Sequence, residues 1–203
     1  MDPFAHIDTK LAKIAPIATA GYFLALRVRG SSPLMAFNTY PKPWVDHYMA
    51  NGYVLRDPIT TWSMTIGGTI RWSSPFLPDP FRVLKQAAEH GLTYGASIAH
   101  GPLGSLTICS AARPDREFTD AEIAAMRSIV IGLHDHTALP KTLTDDQRAI
   151  LAAMANETSP EAAAKTLGVT EIIARARYRQ LCADLFAHSP AEAVQRARTY
   201  KLL

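Results

Sequence analysis

The segment SPEAAAKTLGVTEIIARARYRQLCADL, residues 159–185, predicts two helices joined by a tight turn. Ser159 is expected to cap the first helix, which begins with proline, and Gly168 is expected to end it. The second helix is expected over residues 172–185, after a start at Thr170. A short helix, a turn with glycine and a longer helix form the helix-turn-helix motif, whose second helix enters a major groove of DNA. The segment therefore predicts a small all-α helix-turn-helix bundle.

Another helix is predicted upstream, where residues 143–151 have the sequence LTDDQRAIL. Thr144 is a candidate N-cap, because its hydroxyl can accept from a free backbone N–H of the first turn. Two aspartates follow, where the positive end of the helix dipole favours them. Ile150, Leu151 and Met154 form an apolar stripe at helical spacing, so we expect this helix to pack into the same bundle.

The predicted helix over residues 172–185 carries candidate DNA contacts. Four of its side chains are expected to face the bundle: Ile173, Tyr178, Leu181 and Leu185. Arg175 and Arg179 share a face and Arg177 lies well round from it, yet a duplex around the helix can meet all three as base or phosphate contacts. The candidate DNA-binding residues are Thr170, Arg175, Arg177, Tyr178 and Arg179. The same arginines also fit an ordinary solvated helix face, and the residues alone leave both interpretations open.

This tail resembles the C-terminal domain of LuxR-type transcription regulators, without a gap from Leu143 to Val194. The matching positions include Leu143, Thr144, Leu151, Ala155, Ser159, Ala164, Leu167-Gly168-Val169-Thr170, Leu185 and Ala193-Val194. Gln147 stands where the family usually has Glu, Glu157 where it has Gly, and Arg175-Ala176-Arg177 where most members carry a Lys-Asn-His-like run. The resemblance implies a homodimer whose paired helices bind a palindromic site on double-stranded DNA.

Composition agrees with two modest folded domains: the chain has 203 residues, 48% of them hydrophobic and 19% charged. The net charge is +3, and residues 143–203 hold eight basic against seven acidic residues. That balance lacks the strong positive charge of a protein that coats DNA. DNA affinity is therefore expected to come from local arrangement and from dimerisation.

Cysteine use and hydropathy predict a cytoplasmic protein with no membrane association. Cys109 and Cys182 lie far apart in apolar surroundings, as expected of buried free thiols in a reducing compartment. No apolar run approaches the roughly 20 residues that a membrane helix needs, and the N-terminus lacks a signal-peptide pattern.

Residues 139–142 are predicted to be a linker between two domains, 1–138 and 143–203. A long amphipathic helix is expected over residues 119–136, with Thr119 in its capping start. Pro140 cannot continue that helix, so the segment is expected to form a short hinge.

The first domain mixes strand-like and helix-like segments. Strands are expected over residues 22–29, 34–37, 69–72, 96–99 and 105–111, and helices over 43–51 and 81–90. Hairpin strands with helices between and after them predict the α+β class, an α/β/α sandwich around an antiparallel sheet. Such a sheet packed under helices can hold a small-molecule pocket.

Aromatic residues recur in the first domain: Tyr40, Trp44 and Tyr48 are spaced four apart, and Asp57-Pro58 and Trp72 follow. The first three share one face of the stretch that leads into and along a helix. Asp57 before proline also fits a helix N-cap, and the aromatic rings also fit a plain core. The residues alone leave a ligand role and a structural role both open.

This spacing resembles the acyl-homoserine-lactone-binding domain of the same LuxR-type family, as do the stretch from Gly91 to Gly95 and the turn from Gly101 to Gly104. The resemblance implies an N-acyl-homoserine lactone as effector, with the indole of Trp44 donating to the lactone carbonyl and Asp57 accepting from the amide N–H. Tyr40 would bond to the amide carbonyl, Ser110 would assist from the sheet, and Tyr48 and Trp72 would wall the head group. Candidates to line the acyl chain are Leu24, Leu26, Met35, Ile59 and Ile108.

No catalytic residue, metal site or cofactor is expected. His134 and His136 lie two apart on a helix and so face away from each other, which disfavours a shared metal. No nucleophile, phosphate loop or paired carboxylate accompanies Asp57. The sequence thus predicts a dimeric, lactone-responsive transcription regulator in quorum sensing. Gln147 and Glu157 motivate an alternative, a lactone-binding or heterodimerising modulator with weak or no DNA binding.

Overall fold

The computed structural model describes residues 3–156 and 160–202, so Glu157 and the predicted cap Ser159 lie outside the described residues. Its contacts divide the chain into two compact units. One unit is Ile7–Thr137, and the other joins Met1–His6 with Ala138–Leu203. No helix of the described ranges has the length and apolar character to cross a membrane.

The first unit contains an antiparallel sheet with helices on both faces, which confirms the predicted α+β class. The strands are β1 (Gly21–Val28), β2 (Met35–Asn38), β3 (Gly68–Arg71), β4 (Tyr94–His100) and β5 (Leu106–Arg113). The α-helices of the described residues are α1 (Pro3–Leu11), α2 (Lys42–Ala50), α3 (Pro58–Thr65), α4 (Val83–Glu89), α5 (Asp120–His136), α6 (Asp145–Asn156), α7 (Pro160–Thr166), α8 (Glu171–Asp184) and α9 (Pro190–Thr199). Short 3₁₀ helices form at Tyr53–Leu55 and Leu103–Ser105.

The strand order β2-β1-β5-β4-β3 places β1, β5 and β4 at the centre of the sheet. Phe23 pairs with Ser110, which pairs in turn with Ser97, so these three residues form one row across the sheet. Because side chains alternate between faces, the neighbouring row that contains Leu24 and Cys109 points the other way. Helix α5 packs against β1, β4 and β5.

Thr119 caps α5 with a complete capping box, as the sequence predicted. Its hydroxyl accepts from the backbone N–H of Glu122 at 3.2 Å, and the Glu122 carboxylate accepts from the Thr119 N–H at 2.8 Å. Two backbone donors that a helix start leaves open are thereby satisfied. The helix is anchored by side chains buried at helical spacing: Ile123, Met126, Val130 and Leu133.

The second unit has an apolar core, to which α6, α7, α8 and α9 contribute. Thr144 caps α6 as predicted and accepts from the Gln147 N–H at 3.2 Å, while the Gln147 amide oxygen accepts from the Thr144 N–H at 3.0 Å. Gln147 therefore completes a capping box, although the LuxR-type pattern has Glu at this position. Gly168 follows α7 with a φ of +63°, a left-handed conformation that glycine adopts without steric cost.

The prediction that Ile173 of α8 faces the bundle core is wrong. Ile173 is 43% exposed, because the buried stripe of this helix starts one residue later and runs through Ala174, Tyr178 and Leu181 to Leu185. A shift of one residue turns a side chain by about 100° around a helix axis. The two cysteines are free thiols, but Cys182 is only half-buried, whereas Cys109 is fully buried.

Candidate functional site

A cavity of about 330 Å³ lies between the sheet and helices α2, α3 and α4. All six residues that the sequence predicted as ligand contacts line it: Tyr40, Trp44, Tyr48, Asp57, Trp72 and Ser110. The sequence separates the first of these from the last by 70 positions, and the fold brings them together. The remaining lining is almost entirely apolar.

Helix α2 places two of the aromatic rings. Trp44 and Tyr48 stand one turn apart, and their ring centroids are 5.6 Å from each other in an edge-to-face arrangement. Trp44 is 5% exposed, and within the described ranges its indole N–H has no hydrogen-bond acceptor. A buried indole usually has a partner for this donor, so Trp44 is suited to donate to a bound molecule.

Asp57 acts as helix cap and as cavity residue at once. One carboxylate oxygen accepts from the backbone N–H of Ile59 at 2.7 Å, and the other accepts from the hydroxyl of Tyr48 at 2.9 Å. Burial raises the pKa of Asp57, while the hydrogen bonds from Ile59 and Tyr48 act in the opposite direction. Since a carboxylate offers about four lone-pair sites, it retains capacity for another donor. The structural and the ligand interpretations of Asp57 are thus compatible.

A chain of hydrogen bonds joins Trp72 to Ser110 through Ser97. The Trp72 indole N–H donates to the Ser97 hydroxyl at 2.9 Å, and the two serine hydroxyl oxygens are 2.7 Å apart. Gly95 makes room for this indole, since a Cβ built there would lie 1.9 Å from a ring carbon of Trp72. Ser97 was not predicted from the sequence, because only the pairing of β4 with β5 places it beside Ser110.

Tyr40 reaches across the cavity to the sheet. Its hydroxyl donates to the backbone carbonyl of Ser110 at 2.6 Å, and burial raises the pKa of the phenol well above its ordinary value. The ring is therefore a neutral hydrogen-bond donor at any ordinary pH. This contact fixes the distance between the start of α2 and strand β5.

Two of the five residues predicted to line an acyl chain lie in the wall of this cavity. Ile59 and Ile108 line the cavity, whereas Leu24, Leu26 and Met35 do not. Leu24 and Leu26 are fully buried in the row of β1 that faces away from the cavity, and Met35 pairs with Leu26. The residues that the sequence analysis missed are Phe23, Asn38, Val45, Met49, Val54, Thr60, Val83, Leu84 and Ala87. Helical spacing of Val83, Leu84 and Ala87 is a signal that could have revealed the last three.

The candidate DNA contacts lie on or beside α8. Thr170 caps this helix and accepts from the Ile173 N–H at 3.4 Å. Arg175 pairs with Glu171 at 2.6 Å, and Arg177 pairs with Asp146 of α6 at 3.0 Å.

The other candidate DNA contacts, Arg179 and Tyr178, differ in their surroundings from the two paired arginines. Arg179 has no ion pair among the described residues. Tyr178 is 9% exposed and belongs to the bundle core, so its ring does not lie on the surface as a DNA contact requires. Its position in the buried stripe of α8 is the reason.

Comparison with known proteins agrees with these observations. Residues 6–139 match the model of the autoinducer binding domain. The transcriptional activator protein SolR of Ralstonia nicotianae is 28% identical over 131 residues, which cover 60% of this chain and 56% of SolR. The chain thus matches only about half the length of that protein.

Two solved structures resemble the fold. The structure of SdiA in complex with octanoyl-rac-glycerol has a TM-score of 0.52 and 17% identity, with 95% of this chain and 88% of that chain covered. The LuxR family transcription factor CepR2 of Burkholderia cenocepacia, described as dependent on N-acylhomoserine lactone, has a TM-score of 0.51 and 22% identity, with 66% and 82% covered. At such identities the likeness concerns the fold. Because the family model matches more than half of its length, the chain belongs to the family of proteins with an autoinducer-binding domain.

Proposed function

We propose that this chain is a quorum-sensing transcription regulator of the LuxR type. It binds an N-acyl-homoserine lactone in the cavity and, as a homodimer, binds palindromic promoter DNA through the α6–α9 bundle. The observation that carries the proposal is the pairing of an indole donor without a partner among the described residues, Trp44, with a half-buried carboxylate, Asp57, on the wall of one mainly apolar cavity.

The head group of the lactone fits this pair chemically. Its amide N–H is a donor for the Asp57 carboxylate, and a charge-assisted hydrogen bond of this kind is strong where water is excluded. Its ring carbonyl is an acceptor for the Trp44 indole. An analogue without either group leaves a buried polar atom unpaired, at a cost of about 1–3 kcal/mol, so this arrangement selects sharply.

Tyr40 and Ser110 supply the remaining polar contacts in this proposal. For Tyr40 to donate to the amide carbonyl, its hydroxyl has to leave the Ser110 carbonyl oxygen that it contacts at 2.6 Å. The Ser97 hydroxyl accepts a hydrogen bond from Trp72, so its own O–H can donate a hydrogen bond to the Ser110 hydroxyl oxygen. The Ser110 hydroxyl is then left with a proton to donate to the ligand.

The acyl chain is expected to lie among the apolar residues that helices α2, α3 and α4 contribute to the cavity. Ligand binding to the folded unit alone stabilises it, and we expect this stabilisation to support the dimer. In the dimer two copies of α8 would present their arginines to successive major grooves.

A thermal melt of the purified chain against lactones of graded acyl length tests the ligand. A ligand at a hundredfold excess over its dissociation constant raises the free energy of unfolding by about 2.7 kcal/mol. We expect a shift that depends on acyl length in the wild type and no shift in Asp57→Asn. No shift of the wild type with any lactone would reject the proposed ligand.

The ion pairs of α8 favour a second candidate, a lactone-binding or heterodimerising modulator with weak DNA binding. Arg175 and Arg177 are both engaged by carboxylates of the same unit, which compete with DNA phosphates. A gel shift with and without lactone, repeated over a range of salt concentrations, separates the two functions. Salt-sensitive binding supports the regulator, and its absence with every ligand supports the modulator.

A further inference from the structure

Three metal-ligating side chains meet where the end of β4 approaches the last turn of α5. His100 closes β4, and His134 and Asp135 are consecutive residues of α5. One ligand atom of each lies within 4.8 Å of the others. The imidazole rings of His100 and His134 are nearly perpendicular, with centroids 4.9 Å apart.

The group lies on the face of the sheet opposite the lactone cavity. Thr107, the cross-strand partner of His100, contacts His134 with its side chain and alternates along β5 with the cavity residue Ile108. The site is therefore independent of the function proposed above, and its test does not require a lactone.

A second contact sets the orientation of His134, which is 7% exposed. Its Nδ1 lies 2.9 Å from the Thr107 hydroxyl oxygen, which also accepts from the backbone N–H of Arg27 at 3.2 Å. An oxygen with two lone pairs can accept both donors, so Nδ1 can carry the ring proton and leave the lone pair of Nε2 for a ligand. Protein metal sites commonly hold a ligating histidine in this way through its other nitrogen.

The other two side chains are available as ligands. Within the described ranges, neither the His100 imidazole nor the Asp135 carboxylate forms a hydrogen bond or an ion pair. His100 is half-buried and Asp135 is exposed, so solvent reaches the group from one side. Gly101 keeps the space beside His134 open, since a Cβ there would lie 2.5 Å from ring carbon Cε1.

We propose that His100, His134 and Asp135 form a binding site for a divalent transition-metal ion of the zinc class, with water completing the coordination. Two imidazoles and one carboxylate are a usual donor set for Zn²⁺. In a tetrahedral site with bonds of about 2.0–2.1 Å, ligand atoms lie about 3.3 Å apart. The three groups must therefore close by at most about 1.5 Å from their present separation, which requires small rotations of the half-buried His100 and the exposed Asp135 side chains toward the buried His134.

Opposing electrostatic contributions act on a cation at this site. The Arg27 guanidinium donates to the His134 carbonyl oxygen and to the Ser105 hydroxyl, the latter at 2.9 Å, so a like charge lies near the metal position. The carboxylate of Asp135 and the negative end of the α5 dipole favour a cation. We therefore expect reversible binding rather than a permanently held structural metal.

The test is a titration of the full chain, freed of metal with a chelator, by Zn²⁺ in a calorimeter and by Co²⁺ with visible absorption. We expect saturable Zn²⁺ binding and Co²⁺ d–d bands from mixed nitrogen and oxygen coordination. Loss of one ligand in His100→Gln or Asp135→Asn should weaken binding at least about tenfold, since even residues that only hold a ligand in place through a hydrogen bond change metal affinity by about 10–100-fold. Asp135 is exposed, so Asp135→Asn tests the site without disturbing the core.

Two matched controls exclude adventitious binding. His136→Gln removes an imidazole from the same helix turn but outside the cluster. His90→Gln disrupts a second close histidine pair among the described residues, His47 and His90, whose ring centroids are 5.1 Å apart. Both controls should bind Zn²⁺ as the wild type does. The proposal is overturned if the wild type does not bind Zn²⁺, or if His100→Gln and Asp135→Asn bind it as well as the controls.

Discussion

The hydroxyl of Tyr48 donates to the carboxylate of Asp57 at 2.9 Å and thereby ties helix α2 to the first turn of α3. The same carboxylate caps α3 through Ile59. The Asp57 carboxylate, the proposed ligand acceptor, is thus already held in place by α2 and α3 before a ligand binds. Such preorganisation reduces the entropy that binding has to offset.

Asp57→Asn is expected to separate ligand binding from folding. Asparagine is as good an N-cap as aspartate, and its amide can still meet the Tyr48 hydroxyl. Burial raises the pKa of Asp57, so the ionised form opposes folding once the pH rises through the pKa of the folded state. The ligand-free variant should therefore melt at or above the wild-type temperature and lose the lactone-dependent shift. A variant that melts well below the wild type would show that the charge is needed for folding.

Tyr48→Phe is expected to change the pH dependence of lactone affinity. The hydrogen bond from Tyr48 lowers the pKa of Asp57, so its loss raises that pKa further. Because the proposed acceptor is the carboxylate, affinity falls as the pH drops through this pKa, and in the variant the fall should begin at a higher pH. Calorimetric titrations of both proteins with lactone over a pH series measure this pH dependence of the affinity. Identical pH profiles for both proteins would contradict the role of this hydroxyl.

Ser97→Ala should destabilise the first unit. It leaves the part-buried Trp72 indole N–H and the buried Ser110 hydroxyl without the partner that joins them, at an expected cost of about 1–3 kcal/mol. Ser110→Ala is the matched control, because it keeps the bond between Trp72 and Ser97. Urea unfolding should rank Ser97→Ala below Ser110→Ala in stability. The reverse order would mean that the hydrogen bond from the Trp72 indole N–H to Ser97 does not account for the stability lost in Ser97→Ala.

Asp146→Asn should strengthen binding to nonspecific DNA at low salt. It releases Arg177 from the 3.0 Å ion pair and frees it for a phosphate. One added phosphate contact steepens the dependence of log K on log salt concentration by about 0.9. Asp145→Asn, which removes the pairing of Asp145 with Arg148 in the same turn, is the control for the lost charge. Equal affinities of the two variants would show that Arg177 does not contact DNA.

Glu122→Gln is expected to reduce the loss of stability in acid. The Glu122 carboxylate accepts from Arg116 at 2.8 Å and from Arg113 at 3.0 Å. The Arg116 guanidinium, together with the capping bonds from Thr119, holds the pKa of Glu122 well below its ordinary value. A lowered folded-state pKa gives stability above the unfolded pKa of about 4.3, and this stability is lost as the pH falls.

Glutamine keeps the capping box but not the ion pairs, so the variant should lose about 1–2 kcal/mol at pH 7 because the cluster is partly exposed. Its free energy of unfolding should then fall less steeply than that of the wild type between about pH 5 and pH 3, a range that brackets the pKa of about 4.3 for an unperturbed glutamate. Thermal melts at fixed ionic strength measure both. Parallel pH profiles would exclude Glu122 as a source of the acid sensitivity.

The sequence by itself determined the local structure and the chemistry of the cavity. The caps Asp57, Thr119, Thr144 and Thr170 are short-range devices, since donor and acceptor lie within three residues of each other. Helical spacing likewise placed Trp44 and Tyr48 on one face of α2. The resemblance of the aromatic spacing pointed to six residues that line the cavity, but it missed Phe23, Asn38 and Thr60.

Only the tertiary structure decided which face of the sheet each strand residue occupies and which distant groups meet. The alternation of side chains along a strand does not say which set faces the cavity. The pairing of β1 with β5 places Leu24 and Leu26 on the face away from it. Ser97 and the grouping of His100 with His134 depend on contacts between elements that the sequence keeps apart. Local propensity acts over a few residues, whereas these contacts arise when the whole sheet and α5 pack together.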